Sequence, residues 1–160
     1  MITASDTVFP DNAVALIVAR IPAAVDSDLT VVRRPLRPTD PTQTVGVFPL
    51  TYSPQEGSIE IKSLQPTLNR YNLVIQSFVK EYDEAAGITI HSILSSRLRS
   101  MFYRDQPLHV GLTALSVTMN NSTERMQRRG ITTQRYLSNE IQGTFQYASW
   151  LEVWLETETI

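Results

Sequence analysis

Glu152, Glu156 and Glu158 share one face of the closing segment of this 160-residue chain, the arrangement that paired carboxylates need for acid–base work. In an extended segment, residues two apart stand roughly 7 Å from each other with water between them. That is too far to share a proton, so no catalysis is expected from them. His91 lies beside Ser92 and His109 follows Pro107 by two positions, and neither stands at a motif spacing from a nucleophile and an orienting carboxylate. The chain has no cysteine, and two histidines are too few for a His-only metal cage; no His-Glu-x-x-His pattern surrounds either. Gly46, Gly57, Gly87, Gly111, Gly130 and Gly143 are isolated, which leaves no glycine-rich phosphate loop. The expectation is a protein with no catalytic, cofactor or metal site, and therefore not an enzyme.

Charge placement points elsewhere. Arg97, Arg99, Arg104, Arg125, Arg128, Arg129 and Arg135 are opposed only by Asp105 and Glu124 between positions 97 and 135, a local excess of +5. After Arg135 no basic residue follows, and Glu140, Glu152, Glu156 and Glu158 contribute −4. Arginine pairs with carboxylates in a planar, bidentate fashion, so such a dipolar chain can pair its own strands or copies of itself; the plainer alternative is two solvated faces. Trp150 and Trp154 share a strand face with Glu152 and Glu156, a mixture found where proteins touch. A helix of the same chain covering them is the competing explanation. The candidate interface set is therefore the seven arginines with Trp150, Glu152, Trp154 and Glu156. Arg125, Arg128, Arg129 and Arg135 near Tyr136 also admit a nucleic-acid-binding module, against which stand the net charge of −2 and the scarcity of lysine.

These residues must be held by elements legible from periodicity. Pro10 and Asp11 open a short helix whose Val14, Ile17, Val18 and Ile21 form one stripe, closed by Pro22. Leu29–Arg34 reads as extended, Pro35–Thr44 as a stiff loop or arm, Val45–Phe48 and Leu50–Tyr52 as strand, and Ser53–Gly57 as a turn. Alternation predicts a long strand over Thr67–Glu81. Asp83 caps a helix carrying Ile90, Ile93, Leu94, Leu98, Met101 and Phe102, stopped by Asp105-Gln106-Pro107. Leu115–Met119 reads as extended and Asn120–Ser122 as a turn, and 120–136 as a hairpin or arm with Gly130 in the middle of its polar stretch. Gly143–Glu158 alternates throughout and would span on the order of 50 Å. A length of 160 residues with 42% hydrophobic and 19% charged residues fits one globular domain over 1–160. No apolar run is long enough to cross a bilayer, and Met1–Pro10 lacks an export signal's pattern, so no membrane partner is expected.

Taken in order, Arg33-Arg34-Pro35, Asp40-Pro41 with Val45-Gly46-Val47-Phe48, Pro66-Thr67-Leu68 with Arg70-Tyr71, Leu98-Arg99-Ser100-Met101 with Tyr103-Arg104, Thr123-Glu124-Arg125, Ser138-Asn139-Glu140, and Leu151-Glu152 with Trp154-Leu155-Glu156-Thr157-Glu158 form a recognisable series. From about position 30 onward the chain resembles the tail terminator proteins of long-tailed, noncontractile bacteriophages, especially phages of actinobacteria. The resemblance implies an α+β fold, an antiparallel (mixed) β-sheet flanked by two α-helices with a β-hairpin or arm extension. It implies a hexameric ring in the neck of the virion, assembled in the host cytoplasm, that ends tail-tube growth. The implied partners are copies of itself, the tail tube protein and the head–tail connector or stopper, with genomic DNA passing through the lumen without sequence-specific binding. A ring needs one patch to meet a different patch on its neighbour, so Arg125, Arg128 or Arg129 is expected near an acidic group of another copy. Another neck protein, a stopper, connector or tube subunit, is the alternative within the same resemblance.

Overall fold

The structure, a computed structural model, describes residues 1–3, 8–54 and 67–160. The elements run α1 (Phe9–Ala24), β1 (Thr30–Val32), β2 (Thr44–Pro54), β3 (Thr67–Glu81), α2 (Glu84–Arg104), α3 (Gln106–Ala114), β4 (Ser116–Met119), β5 (Ser122–Ile141) and β6 (Thr144–Thr159). One six-stranded mixed sheet results, in the order β1-β2-β3-β6-β5-β4, with β1 parallel to β2 and every other pair antiparallel. The fold is α+β.

Alternation decides the two faces. Leu73, Ile75 and Val79 of β3, Leu151, Val153 and Leu155 of β6, and Val45 and Val47 of β2 point to one side, where α1, α2 and α3 cover them with Ile17, Ile21, Leu98, Phe102, Leu108 and Leu112. Burying that many aliphatic side chains contributes about 1.5–3 kcal/mol each and holds the sheet against the helices. A hydroxyl pair, Ser77 with Ser149, bridges β3 and β6 within this core. At one end Glu124 accepts from Tyr71 Oη at 2.6 Å and from Asn69 Nδ2 at 3.3 Å, satisfying a polar cluster beside the C-terminus.

Among the described residues three helices flank the sheet where two are expected. Asp105 does stop α2, but its carboxylate also caps α3 by accepting from the Leu108 amide at 3.0 Å, and Pro107 suits the first turn of a helix. Asp105 is further held by a bidentate pair with Arg20 of α1, at 2.7 and 2.9 Å, so one side chain joins all three helices. Helix α1 passes Pro22 by two residues before ending.

The 120–136 segment is a second difference. The turn lies at Asn120–Asn121, both at positive φ, and everything from Ser122 to Ile141 is sheet strand paired along β6, with the next turn at Gln142–Gly143. Gly130 sits in mid-strand. β5 is polar because it flanks the sheet with both faces part-exposed, which in sequence looks like a loop. The proline-rich loop 35–44 lies along β2 and β3: Leu36 N donates to Gln76 Oε1, Lys80 Nζ donates to the Pro38 and Asp40 carbonyls, and Arg34 chelates Asp40. Gly46 lets it cross, since a Cβ there would stand 2.5 Å from the Arg34 carbonyl. Most of the expected turn at Ser53–Gly57, and Pro66, lie outside the described residues.

Candidate assembly surface

Among the described residues the face of the sheet opposite the helices carries no helix, so none of α1, α2 and α3 covers Trp150 and Trp154. Register explains what stands there. Directly opposed residues of antiparallel strands point to the same side, which sets Arg135, Trp150 and Gln76 in one row, Gly130, Trp154 and Asn72 in a second, and Arg128, Glu156 and Arg70 in a third. A fourth row holds Thr133, Glu152, Val74 and Phe48.

The aromatic rings are sandwiched. Trp150 meets Phe48 edge-on at 5.8 Å, and the Arg135 guanidinium lies 5.5 Å from its ring. The Arg70 guanidinium lies 4.4 Å from the Trp154 ring, which rests on Gly130 from its other edge. Cation–π contacts of this kind contribute about 0.5–1 kcal/mol where exposed. Beneath them Val74 is fully buried and Phe48 nearly so, giving the open face a small apolar layer of its own. Arg70 Nε and Trp150 Nε1 are buried donors with no acceptor among the described residues.

The expected interface residues divide. Arg128, Arg135, Trp150, Glu152, Trp154 and Glu156 come together on this face. Arg128 is exposed but donates Nε to Glu156 Oε1 at 2.9 Å, with Nη2 at 2.7 Å, so it pairs within its own chain. Arg129 turns to the helix side, where burial lowers its pKa; Nη1 donates to His109 Nδ1 at 2.7 Å and Nε reaches the Phe102 carbonyl. Arg97 reaches the Val25 carbonyl beside α1, while Arg99 and Arg104 stand exposed on α2 and Arg125 is exposed opposite Glu158. Arg70, Phe48 and Val74 lie outside the expected set. Arg70 belongs to no charge run, and only the register of β3 on β6 brings it to Trp154.

His91 is buried between Tyr136, at 5.5 Å, and Tyr147, at 5.7 Å, and desolvation lowers its pKa despite a hydrogen bond to the Ala148 backbone. Ser95 Oγ donates to the His91 and Ser92 carbonyls and not to the imidazole. Among the described residues no group of three or more His, Asp or Glu side chains is placed to hold a metal, and no helix is long and apolar enough to cross a membrane. No known protein-family model matches the chain, and no curated protein matches it significantly.

Proposed function

We propose that this chain is a structural virion subunit that assembles as a hexameric ring at the head-proximal end of a phage tail tube, stops tube growth and docks the tail to the connector. The observation that carries the reading is the helix-free sheet face, crossed by the chain only at Arg34–Leu36 over Gly46, where two tryptophans stacked by arginines stand among glutamates over a thin apolar layer. Aromatic residues and arginine are enriched at protein contacts, and a face of both charge signs suits the head-to-tail interface that closes a ring. The ordered motif series from position 30 onward and the α+β sheet with helices on one side agree with it. On this reading no catalytic chemistry is required of the chain.

Electron microscopy of lysates from a phage whose copy of this gene carries an early stop codon tests the role. Tails of abnormal length beside unattached filled heads are expected. Tails of normal length beside unattached heads would place the subunit in the connector instead, and normal virions would overturn the reading altogether.

A further inference from the structure

β4 pairs with β5 only from Ser122 to Arg125, whereas β6 pairs along the other side as far as Ile141. From Met126 to Ile141 the outer edge of β5 therefore has no strand beside it among the described residues. Amide and carbonyl groups along such an edge template a further strand. Bulges between Met126 and Arg128 and between Ile131 and Thr133 interrupt the ladder, which leaves Thr133–Ile141 as its longest regular stretch, about 30 Å. The opposite edge of the sheet is built differently: β1 has three residues, and Pro49 and Pro54 remove donors from β2.

Helix α2 runs beside this edge in the opposite direction. His91 meets Tyr136, Gln134 Nε2 reaches the Ser95 carbonyl at 3.4 Å, and Arg129 Nε reaches the Phe102 carbonyl at 3.4 Å. Between helix and strand lie two consecutive clefts. One, of about 350 Å³, is bounded by Ser96, Arg99, Arg104, Gln134 and Tyr136. The next, of about 290 Å³, is bounded by His91, Ser92, Tyr136 and Ser138. Among the described residues no carboxylate lines either cleft, Glu140 pointing to the same side of β5 but beyond Ser138, and Arg99 and Arg104 are exposed and form no ion pair.

We propose that the groove between α2 and the open edge of β5 binds an extended, acidic polypeptide segment of a partner protein, which pairs with Thr133–Ile141 as an added strand. Backbone pairing supplies the grip, and carboxylates of the segment meet Arg99 and Arg104. The acidic strand of this chain, β6, is not the occupant, because β3 and β5 enclose it on both sides; a second copy's β6 is enclosed in the same way. The groove holds or fails independently of the ring, since it lies on the helix side of the sheet.

The test titrates the full chain with a fluorescent peptide of about nine residues alternating Glu and Val, and with its Lys/Val counterpart, by anisotropy and by amide hydrogen exchange. Saturable binding of the acidic peptide alone is expected, with slowed exchange across 133–141. Arg99→Glu with Arg104→Glu should weaken it at least about tenfold at unchanged melting temperature, and Arg99→Gln with Arg104→Gln should weaken it less. Absence of saturable binding, equal binding of both peptides, or binding indifferent to these substitutions would overturn the proposal. So would protection of 133–141 that grows with protein concentration without peptide, which assigns the edge to a second copy.

Discussion

Gly130 shows how one residue organises the open face. A Cβ there would stand 2.5 Å from Trp154 Cζ2 and 2.8 Å from Nε1, so the indole comes this close to the strand only because glycine leaves the room. Gly130→Ala is expected to lower stability by about 1–3 kcal/mol through overpacking and to change the near-ultraviolet circular dichroism of the tryptophans. Gly111→Ala is the control: its Cβ meets only Leu16 methyl carbons, the nearer at 3.6 Å, and should be neutral or stabilising by up to about 1 kcal/mol within α3. His91 carries the second prediction at this scale. Burial between two tyrosines lowers its pKa from 6.5, so the unfolded chain takes up the proton more readily. Stability from this group is complete above the unfolded value and falls as pH drops below 6.5. Melting temperatures from pH 7 to 5 should therefore fall in the parent chain and fall less in His91→Gln.

Among the elements, the junction of the three helices rests on Asp105. The Arg20 guanidinium, ahead of the Leu108 amide, holds its carboxyl below the usual 3.8, and desolvation opposes them. The group's contribution is present above the unfolded value and is lost as pH falls through the lowered one, an acid-limb effect below about pH 4. Asp105→Ala removes both the cap of α3 and the partner of Arg20, and thermal unfolding at neutral pH should register a loss of about 1 kcal/mol or more. Asp105→Asn keeps a side chain able to cap and should retain more of the stability, while flattening the acid limb. Asp40 does similar service in the loop before β2, where Arg34 and the Arg37 amide hold its carboxyl far below the ordinary range.

At the scale of the whole molecule, the sheet has two unlike faces and two unlike edges. The helix face is core, the open face is the proposed ring contact, and the long free edge of β5 is the proposed peptide site. Arg135 distinguishes assembly from folding better than Arg128 does, because Arg128 neutralises the buried Glu156 of its own chain, whereas Arg135 is exposed and lies over Trp150. Light scattering of purified protein should give six times the 18.0 kDa chain mass, and Arg135→Glu should shift it toward the single-chain value at nearly unchanged melting temperature. A parent chain that remains at 18.0 kDa at all concentrations would remove the ring from consideration for the isolated subunit.

Much of this was legible in local signals. Alternation alone delimits β3 at Thr67–Glu81 and brings β6 within a residue of its limits, and Asp83 and Asp105 mark both ends of α2, because period and caps depend on residues only a few positions apart. The candidate surface was half legible: Trp150, Trp154 and the glutamates between and beyond them share a face by spacing, whichever strand lies beside them. β5 was hidden because a flanking strand needs no apolar alternation, and α3 because Asp105 and Pro107 serve equally as a stop and a start. Which face the helices cover, that Arg70 meets Trp154, and that Arg128 pairs with Glu156 while Arg129 reaches the Phe102 carbonyl follow from pairings between residues 27 to 84 positions apart. Local propensity carries no information about such partners; the closing of the sheet and the burial of its odd-numbered face decide them.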